Sequence, residues 1–363
     1  MFKKLVAAID AFRGTGEASV AIPLFDGALK ANNVLDEAQV LCHAEGITDI
    51  ATAVDAPLYI SAGNQLLRAY PSGELALLAS FEKPIRAIAA QGGKVALAFE
   101  GEIVLMAEGS GERTTLEQHE GAPLVCPTAL SFSRHRDCLY VAQGSIRCGV
   151  QDWKRDLMTH GAGGRVVRWD FASNRSDTIL DRLQWCNGVL ETAEDELLVS
   201  ESWAHRLRLR AKDGRSTVVY ADLPGYPARV SRAADGGYWL SLFARRTQLI
   251  EFVLREPAYC ERMLETIPEP YWIAPSFRSG SDFLEPLQFG AVRQMGILKP
   301  WAPSNSYGIV VKLDAHFVPQ YSHHSRAGGR NHGTVSAVEA DGRLYVVARG
   351  SDNVLVAPAR SNT

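Results

Sequence analysis

No stretch of the 363 residues approaches the roughly 18 consecutive apolar positions of a membrane-spanning helix, so no transmembrane segment is expected. The opening Met1 to Gly14 has only the short apolar run Leu5-Val6-Ala7-Ala8-Ile9, which Asp10 and Arg13 interrupt before a signal-peptide core is complete. A surface helix on a soluble, cytoplasmic protein is the expectation there. Neither sign of charge is in excess: 38 Lys and Arg against 41 Asp and Glu leave a net charge of -3, which removes the electrostatic case for nucleic acid or an anionic membrane as partner. The six cysteines include no CxxC pair, which argues against structural zinc and a dense disulfide framework. Reduced, buried thiols are expected, with Cys138 and Cys148 near enough in sequence for a bridge to be conceivable. Phosphate loops, the GxSxG elbow and HExxH are all missing, and Gly161-Ala162-Gly163-Gly164 leads into a strand rather than a helix, so it reads as a turn.

What is present is a repeat. A short apolar and aromatic run, a polar or glycine-rich turn and a second strand recur six times, starting at Leu58, Val95, Leu139, Leu197, Tyr238 and Leu344. The starts are separated by 37, 44, 58, 41 and 106 residues; the first four intervals suit one four-stranded blade each, and the last must hold an insertion. Asp213-Gly214, Asp235-Gly236-Gly237 and Asp341-Gly342 fall between β-patterned runs, where hairpins need positive φ. The fold expected is all-β: one six-bladed β-propeller over residues 1–363, favoured over an open sandwich because sandwiches rarely repeat one unit at blade-like intervals. The sixth copy ends close to Thr363, so its outer strand must come from the N-terminal region, closing the ring and removing strand edges.

Residues 254–307 break the β rhythm. Asp282 through Leu298 has helical apolar spacing despite Pro286 and Gly290, and the segment is predicted to be a partly helical cap over one mouth of the propeller.

Gly164-Arg165-Val166-Val167-Arg168-Trp169-Asp170, then Trp185-Cys186-Asn187-Gly188-Val189, then Leu223-Pro224-Gly225-Tyr226-Pro227 resemble in order and spacing the strictosidine synthase-like branch of the gluconolactonase superfamily. Ser200-Glu201-Ser202-Trp203 and the closing Val335 to Tyr345 fit as well; the likeness runs from about Cys126 to Val356, and the N-terminal third is assigned by the repeat. Relatives in that superfamily include calcium-dependent lactonases and organophosphate hydrolases, and a synthase that condenses an amine with an aldehyde without metal, so fold alone does not select the chemistry.

The resemblance implies a central channel in which oxygen side chains from different blades hold calcium, a Lewis acid for hydrolysis. By position Glu45 is its first ligand and Asn187 its mid-ring ligand, while Thr128 stands where a second Asn is usual. After Gly225-Tyr226-Pro227, where the family has an acid and an Asn, this chain has Ala228-Arg229. A guanidinium about 4 Å from a divalent ion, at an effective dielectric near 20, is repelled by roughly 8 kcal/mol. The sequence therefore calls for no cofactor, with calcium at Glu45 and Asn187 only as a degraded site. Arg229 in the ion's place, paired with Glu45, is either an oxyanion-stabilising group or a structural salt bridge. Val335 stands where the synthase has its proton-moving glutamate, which weighs against that condensation.

His323, His324 and His332 precede the last blade in a loop expected at the channel mouth, and His332, nearest an inner strand, is the candidate general base. Glu201, Trp203 and His205 alternate as on one strand face, and Trp185 is a candidate pocket wall. Arg147 to Arg155 is expected to be a solvated surface loop. The leading functional expectation is a small-molecule hydrolase of lactonase or esterase type in the axial pocket, with His332, Arg229 and Glu45 catalytic and Asn187, Trp185, Tyr226, Glu201 and Trp203 binding substrate. The alternatives are a metal-free condensing enzyme or lyase on an amine, and a propeller that binds a small molecule without catalysis.

Overall fold

The sixfold repeat becomes six antiparallel four-stranded sheets in the computed structural model, which describes residues 22–52, 57–107, 111–278, 306–360 and the short strands Arg293–Gln294 and Ile297–Leu298. Every repeat start lies on the second strand of a blade: Leu58–Ala62, Lys94–Phe99, Cys138–Gln143, Glu196–Glu201, Tyr238–Arg245 and Arg343–Ala348. These strands read as unbroken apolar runs because neighbouring blades cover both faces; Leu58–Ala62 and Cys138–Gln143 are buried along their whole length. Outer strands such as Leu75–Ser80 are partly exposed along their whole length.

The inner strands are Ile47–Ala51, Ala87–Gln91, Pro127–Phe132, Cys186–Ala193, Gly225–Arg232 and Thr334–Ala340, each packed on the next, and the last packs back on the first. The outer strand of blade 6 is Gln39–His43, antiparallel to Asn353–Pro358, so the N-terminal region closes the ring as expected. The turn at Asp341 (φ 50°) and Gly342 (φ 71°) joins the paired Ala340 and Arg343 with two left-handed residues, the backbone a two-residue hairpin needs. All six cysteines are free.

Blade 5 carries the insertion: its second strand, ending at Arg245, pairs directly with its third, Gly308–Leu313. The intervening chain begins earlier than expected, with a helix at Gln248–Val253 whose Thr247 hydroxyl accepts from the Ile250 amide, and a second at Pro257–Thr266. The helix predicted from Asp282 is corrected at its far end, where Arg293–Gln294 pairs antiparallel with Ile297–Leu298; residues 279–292 lie outside the described residues, as does Met1 to Gly14. A smaller insertion in blade 3 forms the helix Trp153–Met158, which meets Pro257–Thr266. Lys154 pairs with Glu269 at 3.1 Å and Arg155 lies over the Trp272 ring at 5.5 Å. Arg147, Asp152 and Arg155 are exposed as expected, but the segment also turns helical at Trp153 and packs on the blade 5 insertion, and the two insertions cross the end of the axis together.

Candidate functional site

At that end of the axis lies a narrow cavity of about 50 Å³. The leading residues of five inner strands and their approaches supply Thr48, Arg86, Thr128, Asn187 and Val335, blade 5 supplies Arg229, and Arg349 follows the second strand of blade 6. Trp153, Trp185, Trp203, Phe243 and Phe277 wall it. The tryptophans form one stack, Trp185 on Trp203 at 5.1 Å and Trp203 on Trp153 at 6.2 Å. Trp185 enters it from a left-handed backbone (φ 57°), an uncommon conformation for a bulky residue. Gly144 permits it, because a Cβ there would stand 2.8 Å from the Trp185 ring.

Charge at the cavity is one-sided. Among the described residues, three guanidinium groups line it and no Asp or Glu does. Behind the wall, Asp49 is 2% exposed; its Oδ1 accepts from the Ile50 amide and its Oδ2 from the Ile88 amide, both at 2.9 Å. Arg229 Nε stands 3.0 Å from Asp49 Oδ2, a charge contact rather than an aligned hydrogen bond, and its Nη2 donates to the Arg86 carbonyl at 2.7 Å. Burial raises the Asp49 carboxyl above the usual range, against the pull of Arg229 and the two amides. Arg86 donates to Gln151 at 3.0 Å and lies 3.6 Å from Glu100. The Arg349 guanidinium stacks on Phe277 at 4.4 Å, and burial, with Arg229 and Arg86 beside it, holds its pKa down to about 10.

Of the residues singled out from sequence, Asn187, Arg229, Trp185 and Trp203 line the cavity together. Asn187 Nδ2 donates to Ser202 Oγ (3.1 Å) and the Pro227 carbonyl (3.4 Å), which leaves its Oδ1 toward the cavity. The Thr128 hydroxyl is engaged by the Ala142 and Cys186 carbonyls. Tyr226 lies one layer behind, fully buried, its hydroxyl 3.5 Å from Glu251 and its ring edge-on to Trp203.

Three expectations are corrected. Glu45 is exposed on the turn between blade 6's outer strand and blade 1, in a surface groove with Asn64 and Gln65; the acid that meets Arg229 is Asp49, which lies on the inner strand that follows that turn. His332 is buried, engages the Arg326 carbonyl through Nε2 (2.8 Å) and does not line the cavity; His323 and His324 lie on blade 5's outer strand, buried rather than at a channel mouth. Glu201, Trp203 and His205 do not share a strand face, since the strand ends at Glu201. Glu201 is fully buried and grips Arg206 and Arg208, whereas Trp203 turns to the cavity and donates from Nε1 to Asp156 at 2.8 Å. His205 packs beside Tyr226.

Sequence reasoning missed Asp49, Arg86, Trp153, Phe277 and Arg349. A lone acid in the buried run Ile47-Thr48-Asp49-Ile50-Ala51 was the available signal for the first; nothing local marks the others.

The residues at the axis do not fit calcium. The buried carboxylate is held by two amides and an arginine, three guanidinium groups face the space, and among the described residues no cluster of three His, Cys, Asp or Glu could hold a metal. Arg229 in the ion's place thus has its geometry, with Asp49 and not Glu45 as partner.

No family model matches the chain. It is 26% identical over 214 residues to the adipocyte plasma membrane-associated protein of Salmo salar, covering 57% of this chain and 45% of that protein. It is 23% identical over 190 residues to the protein STRICTOSIDINE SYNTHASE-LIKE 10 of Arabidopsis thaliana, covering 51% of each. The chain spans about half the length of the relatives it matches. Among solved structures, a gluconolactonase from Xanthomonas campestris superposes with a TM-score of 0.57 at 15% identity, over 89% of this chain and 90% of that one. No helix among the described residues is long and apolar enough to cross a membrane. The chain is a six-bladed β-propeller that shares its fold with gluconolactonases and has homologues named strictosidine synthase-like and adipocyte plasma membrane-associated protein.

Proposed function

We propose that this chain is a small-molecule hydrolase of the lactonase or esterase type, working in the axial cavity without calcium. The observation that carries the reading is the convergence of Arg86, Arg229 and Arg349 on an aromatic-walled space that no carboxylate among the described residues lines. Ester or lactone opening places negative charge on the carbonyl oxygen as water adds, and fixed guanidinium donors in a dry site stabilise that charge as the family's metal would. Asn187 Oδ1 offers an acceptor that orients the water, whereas the Thr48 hydroxyl is held by the Ile85 carbonyl and Ser61 Oγ. The shared fold and the strictosidine synthase-like homologues support an enzyme.

A second reading, a propeller that binds without turnover, is favoured by one observation: among the described residues no imidazole or carboxylate lines the cavity to take the water's proton. An amine condensation is disfavoured, because Val335 lines the cavity where an acid is needed and the arginines repel an ammonium group.

Turnover of a panel of lactones and aryl esters, with calcium and with chelator, tests the proposal. Activity indifferent to calcium and reduced at least about 100-fold in Arg229→Met, with an intact melting transition, is expected. A wild-type protein inactive across the panel would leave the binding reading.

A further inference from the structure

We propose that the axial cavity recognises an organic carboxylate through Arg349, with the ligand's flat apolar body against the tryptophan stack; this rests on reading the cavity as the ligand site. The three arginines are not equivalent. Arg229 has Asp49 and the Arg86 carbonyl, and Arg86 has Gln151 and Glu100. The Arg349 side chain forms no hydrogen bond or ion pair among the described residues, and its guanidinium lies on the face of Phe277. Asp352 acts on it only at longer range, since its Oδ1 accepts from the Gly46 amide at 3.0 Å and its Oδ2 lies 3.5 Å from Arg278.

Arg349 is half-buried, and a partly desolvated cation with no counter-ion among the described residues is unfavourable, the more so with two further cations beside it. Both conditions hold at Arg349, whose proton is loosened by burial first and by Arg229 and Arg86 next. An anion in the cavity relieves them. Stacking engages the guanidinium face and leaves the edge N–H groups for a planar acceptor, which a carboxylate matches with two parallel hydrogen bonds. A single free fork in a narrow space favours this monoanion over a phosphate. The aromatic lining of Trp153, Trp185, Trp203, Phe243 and Phe277 suits an apolar body.

The test is an equilibrium titration of the full chain with 3-phenylpropionate, followed by tryptophan fluorescence because three of the seven tryptophans line the cavity. The comparison ligands are the neutral 3-phenylpropionamide, the cationic 3-phenylpropylamine and phenyl phosphate. The acid is expected to bind at least tenfold more tightly than the amide, with the amine weakest. Arg349→Gln should abolish the preference for the acid over the amide without lowering the melting temperature, and Arg349→Lys should restore part of it, as charge without the fork. Equal binding of acid and amide, an unaffected Arg349→Gln, or phenyl phosphate binding more tightly than the acid would overturn the assignment. Binding of the acid with no turnover of any ester removes the hydrolase reading and keeps this one. Turnover of neutral lactones with no preference for the acid does the reverse.

Discussion

Among the buried carboxylates that meet arginines, Glu201 and Asp49 are built for different ends. In blade 4, Glu201 accepts from Arg206 (2.8 and 3.1 Å), Arg208 (2.7 Å) and the Gln184 amide (3.1 Å). Burial works to raise its pKa, but those hydrogen bonds outweigh it and the group ends below the usual range. At the axis, Asp49 is raised instead, because burial outweighs Arg229, two amides and the Ser336 hydroxyl, and two further arginines crowd the cavity. The first cluster is fully satisfied and closed to solvent at the carboxylate; the second carries surplus positive charge into an open space. A satisfied network locks neighbouring strands, whereas an unsatisfied one is poised for a partner.

The sharpest way to break that contrast is to remove each carboxylate or arginine in turn. Glu201→Gln should cost about 4 kcal/mol in urea unfolding, since it leaves two arginines sharing a weaker acceptor; a loss below about 1 kcal/mol would place the lock elsewhere. Next in size is an acid effect on the structural side. His324 is fully buried between Ser322 Oγ (2.7 Å) and the Tyr307 hydroxyl (3.3 Å), and burial, then His323 and Arg326, bring its pKa down to about 4. The folded imidazole stays neutral while the unfolded one protonates below its ordinary value, so stability is complete above about pH 6.5 and falls by about 3 kcal/mol by pH 4. His205, His323 and His332 are lowered too and add in the same direction. Urea midpoints independent of pH between 7 and 4.5 would contradict this. Trp203→Phe removes the hydrogen bond to Asp156 on the capping helix and should cost about 1 to 2 kcal/mol; hydrogen exchange at residues 153–158 should rise, and unchanged exchange would show that the cap is held by other means. Smallest is Arg349→Gln, expected to change stability by no more than about 0.5 kcal/mol or to raise it, because a half-buried unpaired charge is removed.

The parts of the fold that were readable are those fixed by local chemistry repeated many times. Middle strands covered on both faces must be apolar, and the tight turns need left-handed positions at Gly214, Gly236 and the pair Asp341 and Gly342, so six starts and three turns located the blades. Asn187 and Arg229 fell at the axis because segments with a family pattern kept their register on an inner strand. Glu45 failed for a register reason: four residues earlier than Asp49, it sits on the connecting turn rather than on the strand that reaches the axis. The histidines failed because residues 22–38 cover blade 5's outer strand, where Asn32 bonds Ser322 and His324 and Asp36 bonds Ser325 and Arg326. Trp153, Phe277 and Arg349 meet only through tertiary packing of two insertions, and no local pattern records such a meeting.

The most direct measurement is an anomalous difference map from crystals soaked with calcium and a heavy-atom-labelled aromatic carboxylate such as 4-bromophenylpropionate. Bromine density against the tryptophan stack, with the carboxylate on Arg349 and no calcium near Asp49, is the expected result. A calcium ion beside Asn187, with Arg229 swung away from Asp49, would contradict the central claim that arginine has replaced the metal at the axis.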